Sequence, residues 1–218
     1  MSEPLRHDDG ATPAQTAIGR GEARRQAILE AARDLFLERG FEKTSVSDVV
    51  RRSGGSLATL YALFGSKEGL FEAIVEEVAR EIVAPFESLD FAGRPVEEAL
   101  ALFGERFLGL VLCPSALRWH RMCVNEGPNF PELRAAMVRI GPGRIRERLA
   151  GYLGSQARSG RLRLEDPLVA AQHFLALVKS ESYFEASCGE PVEIDAGEIQ
   201  RQVARAVGVF LHGYLAEA

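Results

Sequence analysis

The 218-residue chain predicts an all-α fold in two parts, a small three-helix domain at the front and a larger helical bundle behind it. Three observations predict this. Apolar residues recur at three- and four-residue spacing from about residue 22 to the end; no run alternates as a strand would; and Thr44 to Lys67, TSVSDVVRRSGGSLATLYALFGSK, reads as two short helices joined by a glycine turn. The composition, 46% hydrophobic and 26% charged, is that of an ordinary globular protein. A formal net charge of −5 gives no global attraction for a polyanion. Any nucleic-acid contact must therefore come from local clustering of Arg20, Arg24, Arg25, Lys43, Arg51, Arg52 and Lys67.

Residues 1 to 20 carry mixed charges and few large apolar side chains, and are expected to form a disordered tail. They lack the apolar segment of a secretion signal, and no stretch elsewhere reaches the roughly 18 apolar residues that span a bilayer, so a cytoplasmic location is expected. Cys113, Cys123 and Cys188 form no CxxC pair, which argues against a disulfide framework.

The first helix is expected from near Glu22, with Ile28, Ala31, Ala32, Leu35 and Phe36 on one face, and ends at Gly40. Ser45 and Asp48 stand in the spacing of a capping box, and Val46, Val49 and Val50 give the next helix its apolar face. Ser53-Gly54-Gly55 stops that helix, and Ser56 caps a third whose Leu60 and Phe64 point one way. Its other side, with Thr59, Tyr61 and Ala62 flanked by Leu57, Ala58 and Leu63, offers hydroxyls and small side chains for close approach to a groove. Ser66 then opens a longer helix, patterned by Leu70, Phe71, Ile74, Val75, Val78 and Ile82 and expected to stop at Pro85. Lys67 falls in its first turn, where a cation opposes the helix dipole unless an anion such as a phosphate is shared with the backbone amides.

Beyond Gly93-Arg94-Pro95, helices are expected over 96–112, 115–125, 131–156 with a break at Gly141-Pro142-Gly143, 166–187 and 195–216. Asp166-Pro167 and the Asp195/Glu198 spacing mark the last two starts. Leu168, Ala171, Leu175 and Val178 line a face of one of these helices, and Ile199, Val203, Ala206, Val207, Phe210, Leu211 and Tyr214 a face of the other. These stripes are expected to form a four-helix homodimer interface, the competing reading being the subunit's own core.

The run from Arg24 to Phe36 (RRQAILEAARDLF), then Gly40-Phe41, Thr44-Ser45-Val46, Thr59-Leu60-Tyr61, Phe64 and Ser66-Lys67-Glu68, resembles the amino-terminal domain of the tetracycline-repressor (TetR) family of bacterial transcription regulators, without gaps over roughly residues 21 to 80. The resemblance implies a homodimeric repressor released from a double-stranded DNA operator by a small-molecule effector, with a helix-turn-helix domain over 21–81 and an effector-binding and dimerisation domain over 82–218. The family usually places a valine at Gly55, a lysine near Leu57, a glycine at Ala58 and a histidine or aromatic around Ala62 and Leu63. These departures leave a phosphate-binding frame of Thr44, Tyr61 and Lys67 and alter the positions nearest base edges, so the operator sequence does not carry over.

Within the predicted pair, Thr44, Ser45, Tyr61 and Lys67 are assigned to phosphates and Ser47, Ala58, Thr59, Ala62 and Leu63 to bases, with Lys43, Ser56 and Leu57 also counted as DNA-binding. The segment from Arg118 to Glu126 with Asn129-Phe130-Pro131-Glu132-Leu133, together with Gly160-x-Leu162 and Asp166-Pro167, resembles the carboxy-terminal domain of the AefR-like subgroup. Phe103, Phe107, Trp119, Met122 and Phe174, with His120 and Tyr183 as polar contacts, are candidate lining for an effector cavity; aromatics at helical spacing also fill cores. Arg121 and Glu126 are expected as an ion pair.

No cofactor or metal is expected, since His120 and Cys123 would need two further ligands from unpatterned positions. Ser115, His120 and Asp166 are accompanied by no nucleophile elbow or phosphate-cradling loop, so no enzyme is expected. The alternative to DNA binding is a helical adaptor for protein partners.

Overall fold

A computed structural model describes residues 13–91, 93–140, 142–190 and 195–214. Ten α-helices run through them: α1 (Pro13–Arg39), α2 (Val46–Ser53), α3 (Leu57–Phe64), α4 (Lys67–Glu87), α5 (Val96–Leu112), α6 (Pro114–Glu126), α7 (Pro131–Ile140), α8 (Pro142–Arg158), α9 (Pro167–Cys188) and α10 (Ala196–Tyr214). The chain divides into two compact units, the first ending at Phe71 and the second beginning at Glu72, so the division falls inside α4.

In the first unit, Ile28, Leu29, Ala32, Leu35 and Phe36 of α1 are buried, as are Val49 of α2, Leu60 of α3 and Leu70 and Phe71 at the start of α4. Three rings form its centre. Phe36 and Phe41 lie 5.2 Å apart, and Phe71 packs edge-on to Phe41 at 5.4 Å. Offset and edge contacts of this kind stabilise beyond the area they bury, which gives two eight-residue helices a firm base. Helix α1 begins at Pro13, nine residues before the expected start near Glu22, while residues 1–12 of the expected tail lie outside the described residues. The earlier start has a simple cause: proline suits a first helical turn, Ala14, Gln15 and Ala17 are good helix formers, and extending a nucleated helix needs no burial.

The second unit builds its core from Phe103, Phe107 and Leu108 of α5, Leu149 and Leu153 of α8, Ala171, Phe174 and Val178 of α9, and Val203, Val207 and Phe210 of α10. Gly104 lets α5 approach α10, since a Cβ there would stand 2.7 Å from Val203 Cγ1. Most of the faces of α9 and α10 expected to meet a second subunit are thus taken up inside this one; Leu168 of that stripe is exposed, and the side chain of Tyr214 lies outside the described residues. The reason is packing: α5 and α8 already cover both helices. The exposed apolar side chains of α9 and α10 are instead Leu168, Val169, Leu177, Phe184 and Val209.

Pro85 does not stop α4, which runs on to Glu87. Its ring costs one backbone bond close to the helix end, and Phe86, buried and 5.0 Å from the Phe103 ring, holds the last turn in place. Arg121 does not pair with Glu126; it donates from Nε to Ser187 O at 3.1 Å and from Nη2 to Ala186 O at 2.6 Å, closing the end of α9. Carbonyls at a helix C-terminus lie at the negative end of its dipole and keep lone pairs that a cation can use, which draws the guanidinium to them.

Candidate nucleic-acid interface

The capping box opens α2 as its spacing predicted: Asp48 N donates to Ser45 Oγ at 3.1 Å, and Ser45 N donates to Asp48 Oδ2 at 3.2 Å. Ser45 Oγ also donates to Asp48 Oδ2 at 2.7 Å, and this bond, first among its causes, holds the Asp48 carboxyl below the usual range. Helix α2 ends on Gly54 (φ 71) and Gly55 (φ 115), a backbone that only glycine adopts cheaply and that a valine at Gly55 would strain. Arg24 folds over this turn and donates from Nη1 to Gly54 O at 2.8 Å and to Ser53 O at 3.2 Å.

Ser56 caps α3, accepting from Thr59 N at 3.1 Å with its hydroxyl 2.9 Å from that of Thr59. Leu60 anchors the helix in the core; Phe64, half-buried, lies under the Arg25 guanidinium at 5.8 Å. The opposite face is open: Ser56, Leu57, Ala58, Tyr61, Ala62 and Leu63 are all exposed, with Tyr61 at 49%. Ser47 at the start of α2 and Lys43 in the preceding turn are also exposed, so ten of the twelve residues assigned to DNA are open to solvent once exposed Ser45 and half-buried Thr59 are counted.

The other two, Thr44 and Lys67, are less open. Thr44 is 1% exposed, and its hydroxyl donates inward to Gly40 O at 2.8 Å and Leu35 O at 3.2 Å, which ties the α1–α2 corner instead of presenting a donor outward. Lys67, half-buried, sits 4.2 Å over the Phe41 ring and donates to Glu42 O at 3.3 Å. Its ammonium is thereby held at the foot of α4, whose first turn is capped by Ser66 Oγ accepting from Gly69 N at 3.0 Å.

Two contributors escaped the sequence reading. Arg24 was counted only as a charge, and its carbonyl partners 29 and 30 residues away carry no local signal. Gly69 allows α4 to abut α3, because a Cβ there would stand 2.1 Å from Phe64 O; the Ser66-Lys67-Glu68 motif beside it was the available clue. Arg51 and Arg52 are spent on Asp48 and on Glu38, the latter pair at 2.8 Å.

Of the effector-cavity candidates, Phe103, Phe107 and Phe174 are core, Trp119 and Met122 are buried on α6, and only His120 and Tyr183 come together half-exposed, their rings 5.4 Å apart. Cys123, whose thiol donates to Trp119 O at 2.7 Å, is pushed up to about 12 by burial and stays a thiol near neutrality.

A short helix pair with an anchored, outward-facing second helix, followed by a separate helical bundle, defines a helix-turn-helix protein with a second functional domain. Residues 28–74 match the model for bacterial regulatory proteins of the tetR family, and residues 98–216, more than half the chain, match that of the AefR-like transcriptional repressor C-terminal domain. The chain belongs to the TetR family, with an AefR-like C-terminal domain.

Among curated relatives, the HTH-type transcriptional repressor ComR of Escherichia coli K12 is 41% identical over 78 residues, 35% of this chain and 37% of ComR. UidR of the same strain, an HTH-type transcriptional regulator, is 33% identical over 102 residues, 43% of this chain and 52% of UidR. The chain thus matches about a third to a half of the length of these relatives. Among solved structures, the flavonoid-responsive regulator FrrA superposes with a TM-score of 0.82 at 28% identity, covering 92% of this chain and all of that one. A TetR-family regulator from Mesorhizobium loti shares the fold with a TM-score of 0.80 at 23% identity, covering 90% and 99%.

Proposed function

We propose that this chain is a ligand-responsive transcriptional repressor that binds a near-palindromic DNA operator as a homodimer. The observation that carries the reading is α3: a helix of two turns, anchored through Leu60 and capped by Ser56, whose entire outer face is exposed and made of small or apolar side chains. Such a face suits a major groove, where Ala58, Ala62 and Leu63 favour thymine methyls and Ser47 and Thr59 supply hydroxyls. Lys43, Tyr61 and Lys67 hold phosphates, with Ser56 and Leu57 at the helix entrance. Thr44 and Ser45 act as positioning residues, since their hydroxyls already hold the corner and the α2 cap.

Dimerisation is assigned to the exposed apolar face of α9 and α10. There an open groove of about 580 Å3, lined by His173, Ala176, Leu177, Ser180, Val209 and Gly213 among others, sits beside exposed Val169 and Phe184. A two-fold contact through this face would present two α3 helices to successive major grooves, about 34 to 36 Å apart. Effector binding in the second unit is transmitted along α4, the one helix that runs through both. FrrA is a flavonoid-responsive regulator, which supports a small organic effector here.

Selection of bound fragments from sheared genomic DNA by the full-length protein tests this reading. Enrichment of short inverted repeats, protected as two half-sites on successive turns of the duplex, is the expected result. Recovery no better than bulk DNA at low salt would remove it.

A further inference from the structure

Lys179, His120 and Tyr183 form a half-buried polar cluster where α6 meets α9. The Lys179 ammonium stands 5.1 Å over the Tyr183 ring, and the His120 ring lies 5.4 Å from the same ring. Among the described residues, no hydrogen-bond acceptor or carboxylate meets the ammonium, and neither the imidazole nor the phenol is hydrogen-bonded. Polar groups gathered at a half-buried site with no protein partner keep their hydrogen-bonding capacity for what enters from solvent, and an anionic ligand fits their sign.

The charge there is one-sided. Lys179 is held below its ordinary value by burial alone, with no acid to raise it, and His120 is lowered first by burial and then by the positive charges of Lys179 and Arg121. Arg121 adds to that excess, its guanidinium held in place by the carbonyls of Ala186 and Ser187. The position of Lys179 is itself built in. The helix breaks at Ser180 (φ 47, ψ −156), and Gln202 of α10 donates from Nε2 to Val178 O at 2.7 Å and to Lys179 O at 3.2 Å, bracing the carbonyls on either side of the Lys179 amide.

We propose that this cluster binds a small aromatic carboxylate, the Lys179 ammonium receiving the carboxylate and the adjoining Tyr183 and His120 rings offering a surface for the aromatic body to pack against. This assignment rests on the effector reading above and names the chemical class of that effector. A charge-assisted pair in a half-buried site is directional and strong, and the two adjoining rings supply aromatic surface beside the ammonium.

Trp119, the single tryptophan of the chain, is the residue before His120, so its emission reports the site. The full chain is titrated with benzoate and with benzamide, a neutral molecule of the same shape. Benzoate is expected to bind at least about tenfold more tightly, and Lys179→Met to bring it to the benzamide level, while Lys179→Arg keeps the preference. Equal affinities, no benzoate binding, or a preference that survives Lys179→Met would each overturn the assignment. The two readings separate cleanly. If a neutral compound releases the protein from its selected DNA and benzoate does not bind, the effector reading stands and the anion class falls; if benzoate binds through Lys179 without changing DNA affinity, the site stands and its effector role falls.

Discussion

Thr44 shows how a single hydroxyl separates two roles that a motif runs together. Because the side chain is buried and donates to Gly40 and Leu35, Thr44→Val leaves two carbonyls without that donor and should lower stability by about 1–2 kcal/mol, read from urea unfolding of the full chain. A direct phosphate contact would instead lower DNA affinity with the unfolding midpoint unchanged. Lys67 is the opposite case. Its ammonium is steadied by the Phe41 ring and Glu42 carbonyl, and Lys67→Ala should weaken binding to all DNA sequences and reduce the slope of log affinity against log salt by about one. An unaltered slope would take Lys67 out of the interface. The Ser45/Asp48 box and the Ser56 and Asp166 caps were legible in the chain because both partners lie within three residues. Arg24 and Gly69 were not legible, since what they touch is brought to them by folding.

At the scale of the element, helix positions followed from periodicity and caps, and the departures came where one unfavourable residue was outweighed by its surroundings. Pro85 is tolerated near the end of α4 because Phe86 beyond it is buried. Ser180 breaks α9 in mid-course with a backbone that an L-residue occupies at a cost of about 1–3 kcal/mol, and neither glycine nor proline announces it. The strain is held by Gln202, which satisfies the Val178 and Lys179 carbonyls and also accepts from Ser182 Oγ at 3.0 Å. Ser180→Gly should therefore raise the thermal midpoint by about 2–4 °C, an increase worth about 1 kcal/mol, and circular dichroism should show unchanged helix content. A lower midpoint would mean that the break carries no strain.

Over the whole molecule, the decisive question is which apolar surface belongs to the subunit and which to its partner. Burial of Val203, Val207, Phe210 and Val178 marks them as core, and exposure of Leu177, Phe184 and Val209 marks the remaining face. Leu177→Glu combined with Val209→Glu should convert the proposed dimer to monomer in sedimentation equilibrium without loss of helix, and should weaken operator binding by at least about a hundredfold as the two half-sites uncouple. A double variant that sediments as the parent does would move the interface elsewhere. By itself the sequence determined the all-helical class, the helix-turn-helix, the caps and the family, because periodicity, glycine breaks and short-range hydrogen bonds are written between neighbouring residues. Only the tertiary structure decided which stripe of α9 and α10 stays open, that Thr44 turns inward, and that His120, Lys179 and Tyr183 meet, because each depends on helices far apart in the chain competing for the same buried volume.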